Sequence, residues 1–218
     1  GRESFESVHR KMNSGEIDIL IGTQMITKGH DFPNVTLVGV VYADLSLHIP
    51  DFRSAERSFQ LLTQVAGRAG RGKVPGLVII QSLSSGHYVF DFVKEHDFRG
   101  FSEKELALRE KLKYPPFTRM VSIEIESEHE QDGEIFANSI HKALARILNK
   151  TNDIEILGPA RASLYQINNR FRRHLILRSY DYRKLHSVLD RLYETPEIKK
   201  CSNSKVKLIL DVDPVNLM

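Results

Sequence analysis

The sequence predicts an α/β protein in two parts, a parallel-sheet α/β layer followed by a smaller α+β domain. Three observations carry that prediction. Short β-rich runs alternate with helical stretches over the first eighty residues, Tyr114-Pro115-Pro116 then interrupts the chain, and the residues beyond read as β-α-β-β-α-β. Alternating strand and helix favours a parallel sheet, because a crossover helix is the usual way to join two parallel strands. With 218 residues, 41% of them hydrophobic, the chain has material for one large or two modest cores.

Taken in order, Phe5, Val8 and Met12 recur at helical spacing and Gly15 supplies a stop signal, so the chain opens on a short helix. Ile17 to Ile21 and Thr36 to Tyr42 are β-rich runs bounded by Gly, Pro and polar residues, as in sheets covered on both faces. Asp51 is the expected N-cap of a helix over Phe52 to Ala66, whose Phe59, Leu62 and Val65 fall on one side and which runs into Gly67. Leu77 to Ile80 is the third strand. Residues 87 to 112 are helical and charged, and Ser102-Glu103-Lys104-Glu105 reads as a capping box for their second segment. Two adjacent prolines cannot continue a helix, which puts the domain boundary at Tyr114-Pro115-Pro116. The division expected is therefore 1–86, a helical linker over 87–115, and 116–218.

In the last part Val121 to Ile125 is a strand, Ile135 to Leu148 an amphipathic helix, Ile154 to Leu157 and Phe171 to Leu177 strands, Tyr182 to Tyr193 a helix, and Val206 to Leu210 a final strand. Asn168-Asn169 reads as a turn. This order is the split-βαβ, ferredoxin-like arrangement.

Composition narrows the function classes. No apolar run reaches the roughly 18 to 20 residues needed to span a bilayer, and the N-terminus shows no signal-peptide pattern, so an intracellular, soluble protein is expected. One cysteine, Cys201, leaves no internal disulfide and no four-cysteine zinc site. A formal charge of +3 permits nucleic-acid binding without arguing for it. The chain starts at Gly1, without Met, in what reads as a helix, and a fragment is expected.

The most informative stretch is GRAGRGKV, residues 67 to 74. It fits the phosphate-binding template G-x-x-x-x-G-K-[ST] through Lys73 and then places Val74 where the Mg²⁺-binding hydroxyl belongs. It also leaves a helix and enters a strand, whereas a P-loop leaves a strand and opens a helix. Arginines in a glycine-rich turn at a helix end suit a different task, stabilising charge on a transferring phosphoryl group held elsewhere. QVAGRAGR supplies the Gln64 amide and the planar, always-charged forks of Arg68 and Arg71. The alternative is a helix C-cap with surface arginines, since Gly and Arg both favour helix C-termini.

A second cluster lies between Ile156 and Tyr180, where Arg161, Arg170, Arg172, Arg173 and Arg178 occur with no Asp or Glu and with Tyr165 and Phe171 among them. Basic residues near aromatics suit a nucleic-acid backbone and unstacked bases. Phe171 facing the core, with solvated arginines around the turn, is the competing arrangement. Arg170, Arg172 and Arg173 are the positions to test. His30, His48 and His174 lack further ligands at metal-binding spacing and are read as packing or loop residues.

Q-x-x-G-R-x-G-R resembles the last signature motif of superfamily 2 helicases, and GTQMITKGHDFPNV, residues 22 to 35, the motif preceding it. With DFRSAERSFQLLTQVAGRAGR, YPPF, LGP and the terminal DVDP, the chain resembles the C-terminal half of the PriA family, the bacterial primosomal protein N′ helicases of replication restart. The resemblance spans nearly the whole chain. It implies that residues 1–86 are part of a second RecA-like motor lobe and that 116–218 form a DNA-binding ferredoxin-like domain. It further implies that Gln64, Arg68 and Arg71 face the γ-phosphate of ATP held by a first lobe, with Arg71 as the finger. Thr23, Gln24 and Lys28 would contact the DNA backbone, and Gly29 and Asp31 would link that contact to the nucleotide.

Several family parts are missing. There is no complete P-loop, and the apolar run ending at Asp44 is followed by Leu45 rather than a second carboxylate. Mg²⁺ and the family's zinc therefore have no ligands here, and the chain alone is expected not to hydrolyse ATP. The resemblance implies a bacterial, cytoplasmic, 3′ to 5′ ATP-dependent DNA helicase as the whole protein. Forked DNA, primosome proteins, single-strand-binding protein and replicative-helicase loading factors are the implied partners. Three alternatives stay open: a different superfamily 2 translocase, a non-catalytic nucleic-acid-binding module, and a self-sufficient P-loop NTPase, which Val74 disfavours.

Overall fold

A computed structural model describes residues 5–23, 32, 35–69, 75–148, 153–201 and 205–217. It contains two compact units, Gly1–Ile49 with Arg53–Glu105, and Pro50–Phe52 with Leu106–Met218. The division falls within the helix Phe98–Leu112.

The first unit opens with α1 (Phe5–Ser14), which ends at Gly15 in the left-handed region with φ of 75°. A side chain there would be strained, so glycine is the fitting stop. β1 (Leu37–Val40) and β2 (Leu77–Ile80) pair in parallel, Leu37 opposite Leu77 and Val40 opposite Ile80. Between them comes α2 (Ser54–Ala66), followed after β2 by α3 (Tyr88–Lys94) and α4 (Phe98–Leu112). The buried side of α2, Phe59 and Leu62, packs with Val89 and Val93 of α3 and Phe101 of α4. Phe59 and Phe101 stack with ring centroids 4.2 Å apart.

Three local expectations are corrected. Ile17 to Ile21 forms no strand, and Ile19 and Ile21 are 77% and 89% exposed. An apolar run becomes a strand only where a neighbouring strand accepts its backbone hydrogen bonds, and among the described residues none lies alongside. Asp51 does not cap α2, which begins at Ser54 with Arg53 in the cap position; its carboxylate instead accepts the Leu217 amide at 3.2 Å. Ser102 lies inside α4 with its hydroxyl donating to the Phe98 carbonyl, while Asp97 accepts the Gly100 amide at 2.8 Å and caps the helix one turn earlier.

The second unit follows the expected order. β3 (Arg119–Ser127), α5 (Glu130–Leu148), β4 (Ile154–Ile167), β5 (Arg170–Ser179), α6 (Tyr182–Tyr193) and β6 (Val206–Val212) build an antiparallel sheet in the order β4-β5-β3-β6. A short helix not foreseen from the sequence, α7 (Pro196–Cys201), precedes β6. Strand residues alternate between faces. Val121, Ile123, Ile125, Leu175 and Leu177 therefore meet Ile140 and Leu144 of α5 and Leu189 and Leu192 of α6 in one core. Ser122, Glu124 and Glu126 of β3 and Arg170, Arg172 and His174 of β5 take the opposite face. β4 and β5 form a hairpin whose two-residue turn, Asn168-Asn169, has φ of 51° and 60°, as the expected turn requires.

Candidate nucleotide and nucleic-acid sites

The end of α2 is the first candidate. Phe59, Leu62 and Val65 bury one side of the helix and fix its axis, leaving Gln64 exposed in the last turn. The Gly67 amide closes that turn on the Thr63 carbonyl at 3.0 Å, and Arg68 follows with its amide 3.0 Å from the Val65 carbonyl. The half-buried Arg68 thus comes directly after a rigidly ended helix. This places an amide and a guanidinium within five residues at the negative end of a helix dipole, where a cation is favoured and an anion is bound by side chains rather than by the helix. Arg71, Gln24, Lys28, Gly29 and Asp31 lie outside the described residues. Thr23 is exposed and irregular, and because no strand forms over residues 17–21 it ends no strand.

Asp44 has a role that the sequence reading missed. It is fully buried just after β1, and its carboxylate accepts the Ser82 hydroxyl at 2.6 Å, the Leu83 amide at 2.6 Å and the Ser84 amide at 3.0 Å. The Ser82 hydrogen bond, with the two amides, outweighs burial and lowers its pKa to about 2. The group is engaged by the chain leaving β2, so it clamps the ends of both strands. Among the described residues, no three His, Cys, Asp or Glu side chains converge as a metal ion would need. These residues do not fit zinc or Mg²⁺.

The arginine cluster of the second unit is far less free than the sequence suggests. Arg172 is buried and donates through Nε and one terminal nitrogen to both Glu124 oxygens, at 2.6 and 2.7 Å. This bidentate carboxylate holds its pKa above the ordinary arginine value. Arg173 points to the other face of the sheet and pairs with Glu134 of α5 at 2.8 Å, its side chain 12% exposed. Neighbouring strand positions cannot face one ligand, so Arg172 and Arg173 do not form a joint anion site. Arg178 pairs with Glu155 at 2.8 Å and also donates to the Leu112 carbonyl at 2.8 Å. The more open members flank the β4–β5 hairpin. Arg170 is 3.2 Å from Glu128 and 37% exposed, and Arg161 is 2.8 Å from Glu130, 64% exposed, with its guanidinium 4.6 Å from the Tyr165 ring centre. Tyr165 in turn lies beside Phe171, centroids 5.6 Å apart.

With these geometries in place, the relationship of the chain is decided by two family models. One described as the primosomal protein N C-terminal domain matches residues 110–215, and one described as the helicase conserved C-terminal domain matches residues 2–73. The chain belongs to the PriA family. The replication restart protein PriA of Synechocystis is 44% identical over 203 residues, which is 93% of this PriA-family chain and 24% of that protein. Its counterparts from Bacillus subtilis and Borreliella burgdorferi are 40% and 34% identical, each over 99% of the chain and over 27% and 32% of their own lengths. The chain therefore spans about a quarter to a third of the curated relatives it matches. No helix among the described residues is long and apolar enough to cross a membrane.

Proposed function

We propose that this chain is the part of a replication restart helicase that completes the ATP site from the second motor lobe and contacts DNA through a ferredoxin-like domain. The observation that carries this reading is the α2 terminus. Within the segment matched by the helicase family model, a helix buried along one side ends at Gly67, with Gln64 in its last turn and Arg68 just beyond it. Arg71, three residues on, is the finger that neutralises charge on the transferring phosphoryl group, and Arg68 supports it. Gly29 and Asp31 couple this site to DNA-backbone contacts by Thr23, Gln24 and Lys28. ATP and its Mg²⁺ are held mainly by residues beyond this chain, as is the family's zinc, so the 218 residues alone do not turn over ATP.

In the second unit, Arg170 and Arg161 are the DNA-facing arginines, because they are 37% and 64% exposed whereas Arg172 and Arg173 are enclosed with their carboxylate partners. The whole protein acts in the bacterial cytoplasm at stalled forks, moving 3′ to 5′, with primosome proteins, single-strand-binding protein and helicase-loading factors as partners. In the protein of full family length, Arg71→Ala should abolish most DNA-stimulated hydrolysis while leaving nucleotide binding intact. Turnover at the unaltered rate would remove Arg71 from the reaction, and hydrolysis by the isolated 218-residue chain would replace this proposal with a self-sufficient NTPase.

A further inference from the structure

Away from the arginine cluster, the second unit holds a cavity of about 220 Å³ where α6 crosses the ends of β3 and β6, lined by Arg119, Tyr182, Leu185, His186, Val212 and Asp213 among others. Its floor is apolar and rigid, since Leu185 is buried in the core. Its wall is aromatic and open: Tyr182 is 54% exposed and meets His186 edge-on, ring centroids 6.3 Å apart. The Arg183 guanidinium lies 5.8 Å from the Tyr182 ring centre, and its Nε donates to the Tyr182 hydroxyl at 3.2 Å. The rim carries a donor and an acceptor together, because Arg119 and Asp213 form an ion pair at 3.2 Å with both side chains half exposed. The Asp213 amide donates to the Met120 carbonyl at 2.9 Å, so that rim is tied to the sheet.

Each property restricts the occupant. The volume, about 220 Å³, has room for one ring system and is below the roughly 300 Å³ of ordinary small-molecule clefts. A large exposed π-face beside an apolar floor attracts a flat heterocycle. A guanidinium and a carboxylate side by side offer the donor and acceptor that a base edge presents in return. Arg119 at the rim, with Arg183 beside the Tyr182 ring, favours a ligand that carries phosphate.

We infer that this cavity is a nucleobase pocket, taking one unstacked base of a single strand against the Tyr182 ring with its edge on the Arg119–Asp213 pair. The inference rests on the reading that the second unit contacts DNA, and the site is distinct from the arginines flanking the β4–β5 hairpin. To test it, the 218-residue chain is titrated with a short single-stranded oligonucleotide bearing 2-aminopurine at one end, and with the same strand made abasic at that position. Binding should quench the fluorescence, and Tyr182→Phe should preserve both quenching and affinity. Tyr182→Ala, at an exposed position that leaves the fold intact by circular dichroism, should abolish quenching. It should also weaken binding roughly ten-fold, the size of one lost base–aromatic stack, and the abasic strand should bind both proteins equally. Unchanged quenching and affinity in Tyr182→Ala, with Arg170→Ala still flattening the salt dependence, would overturn the pocket and leave the DNA reading standing. No binding by the unaltered chain would overturn both.

Discussion

Replacing Arg172 by alanine separates a structural from a ligand-binding role for the most basic stretch of the chain. The guanidinium makes two short charge-assisted hydrogen bonds to Glu124, lies 3.9 Å from Glu126, and is 9% exposed. Its removal leaves the Glu124 carboxylate without its bidentate partner on a face where the next carboxylate, Glu126, pairs with Lys207 at 3.6 Å. Breaking a buried pair from one side costs about 3 kcal/mol, because the stranded charge keeps its desolvation penalty. For a unit of this size that is a fall in melting temperature of roughly 10 °C. Replacing both partners with apolar residues, Arg172→Met with Glu124→Leu, should return most of the loss, since the pair's attraction is largely offset by its own desolvation. Thermal unfolding followed by circular dichroism reads both variants, and DNA affinity is measured below the lower transition. If Arg172→Ala melts within about 2 °C of the unaltered chain while losing DNA affinity, the guanidinium serves a ligand and the argument from its enclosure fails.

Two further outcomes follow from the same geometry. Arg170→Ala should weaken binding to forked DNA and reduce the slope of log affinity against log salt by about one phosphate contact while leaving the melting temperature nearly unchanged; an unaltered slope would remove Arg170 from the interface. Asp44 is held charged, with its pKa lowered from 3.8 to about 2, so the stability it confers is complete above pH 4 and is lost as pH falls through 2. Asp44→Asn should therefore be less stable than the unaltered chain at neutral pH, and the gap should narrow between pH 4 and pH 2. A gap in urea midpoint that stays constant over that range would show that charge is not what the clamp uses.

Several local signals whose determinants sit within a few residues were readable from the sequence. Leu77–Ile80 and Tyr182–Tyr193 have the bounds their apolar spacing predicts, and Asn168-Asn169 makes its turn because both residues tolerate positive φ. The order β-α-β-β-α-β likewise gives the observed sheet. What escaped depends on partners distant in sequence. The stretch from Ile156 to Tyr180 contains no acid, yet antiparallel pairing sets β3 beside β5, and Glu124 reaches Arg172 across 48 positions. Asp44 finds its donors about forty residues later, at Ser82 to Ser84. The capping box at Ser102 was a sound local pattern overtaken by an equally sound one at Asp97, five residues earlier, which started the helix first. The run at Ile17 to Ile21 has strand composition, and composition does not supply a neighbour.

The glutamates beside the exposed arginines have a consequence for how this surface meets a polyanion. Glu128 at Arg170 and Glu130 at Arg161 act as resident anions, each accepting from one terminal nitrogen of a guanidinium that carries five N–H donors. An anion arriving there would share each guanidinium with a carboxylate rather than meet a bare charge. The attraction this surface offers a polyanion is correspondingly softened, and it is set by the spacing of both charges rather than by the arginines alone.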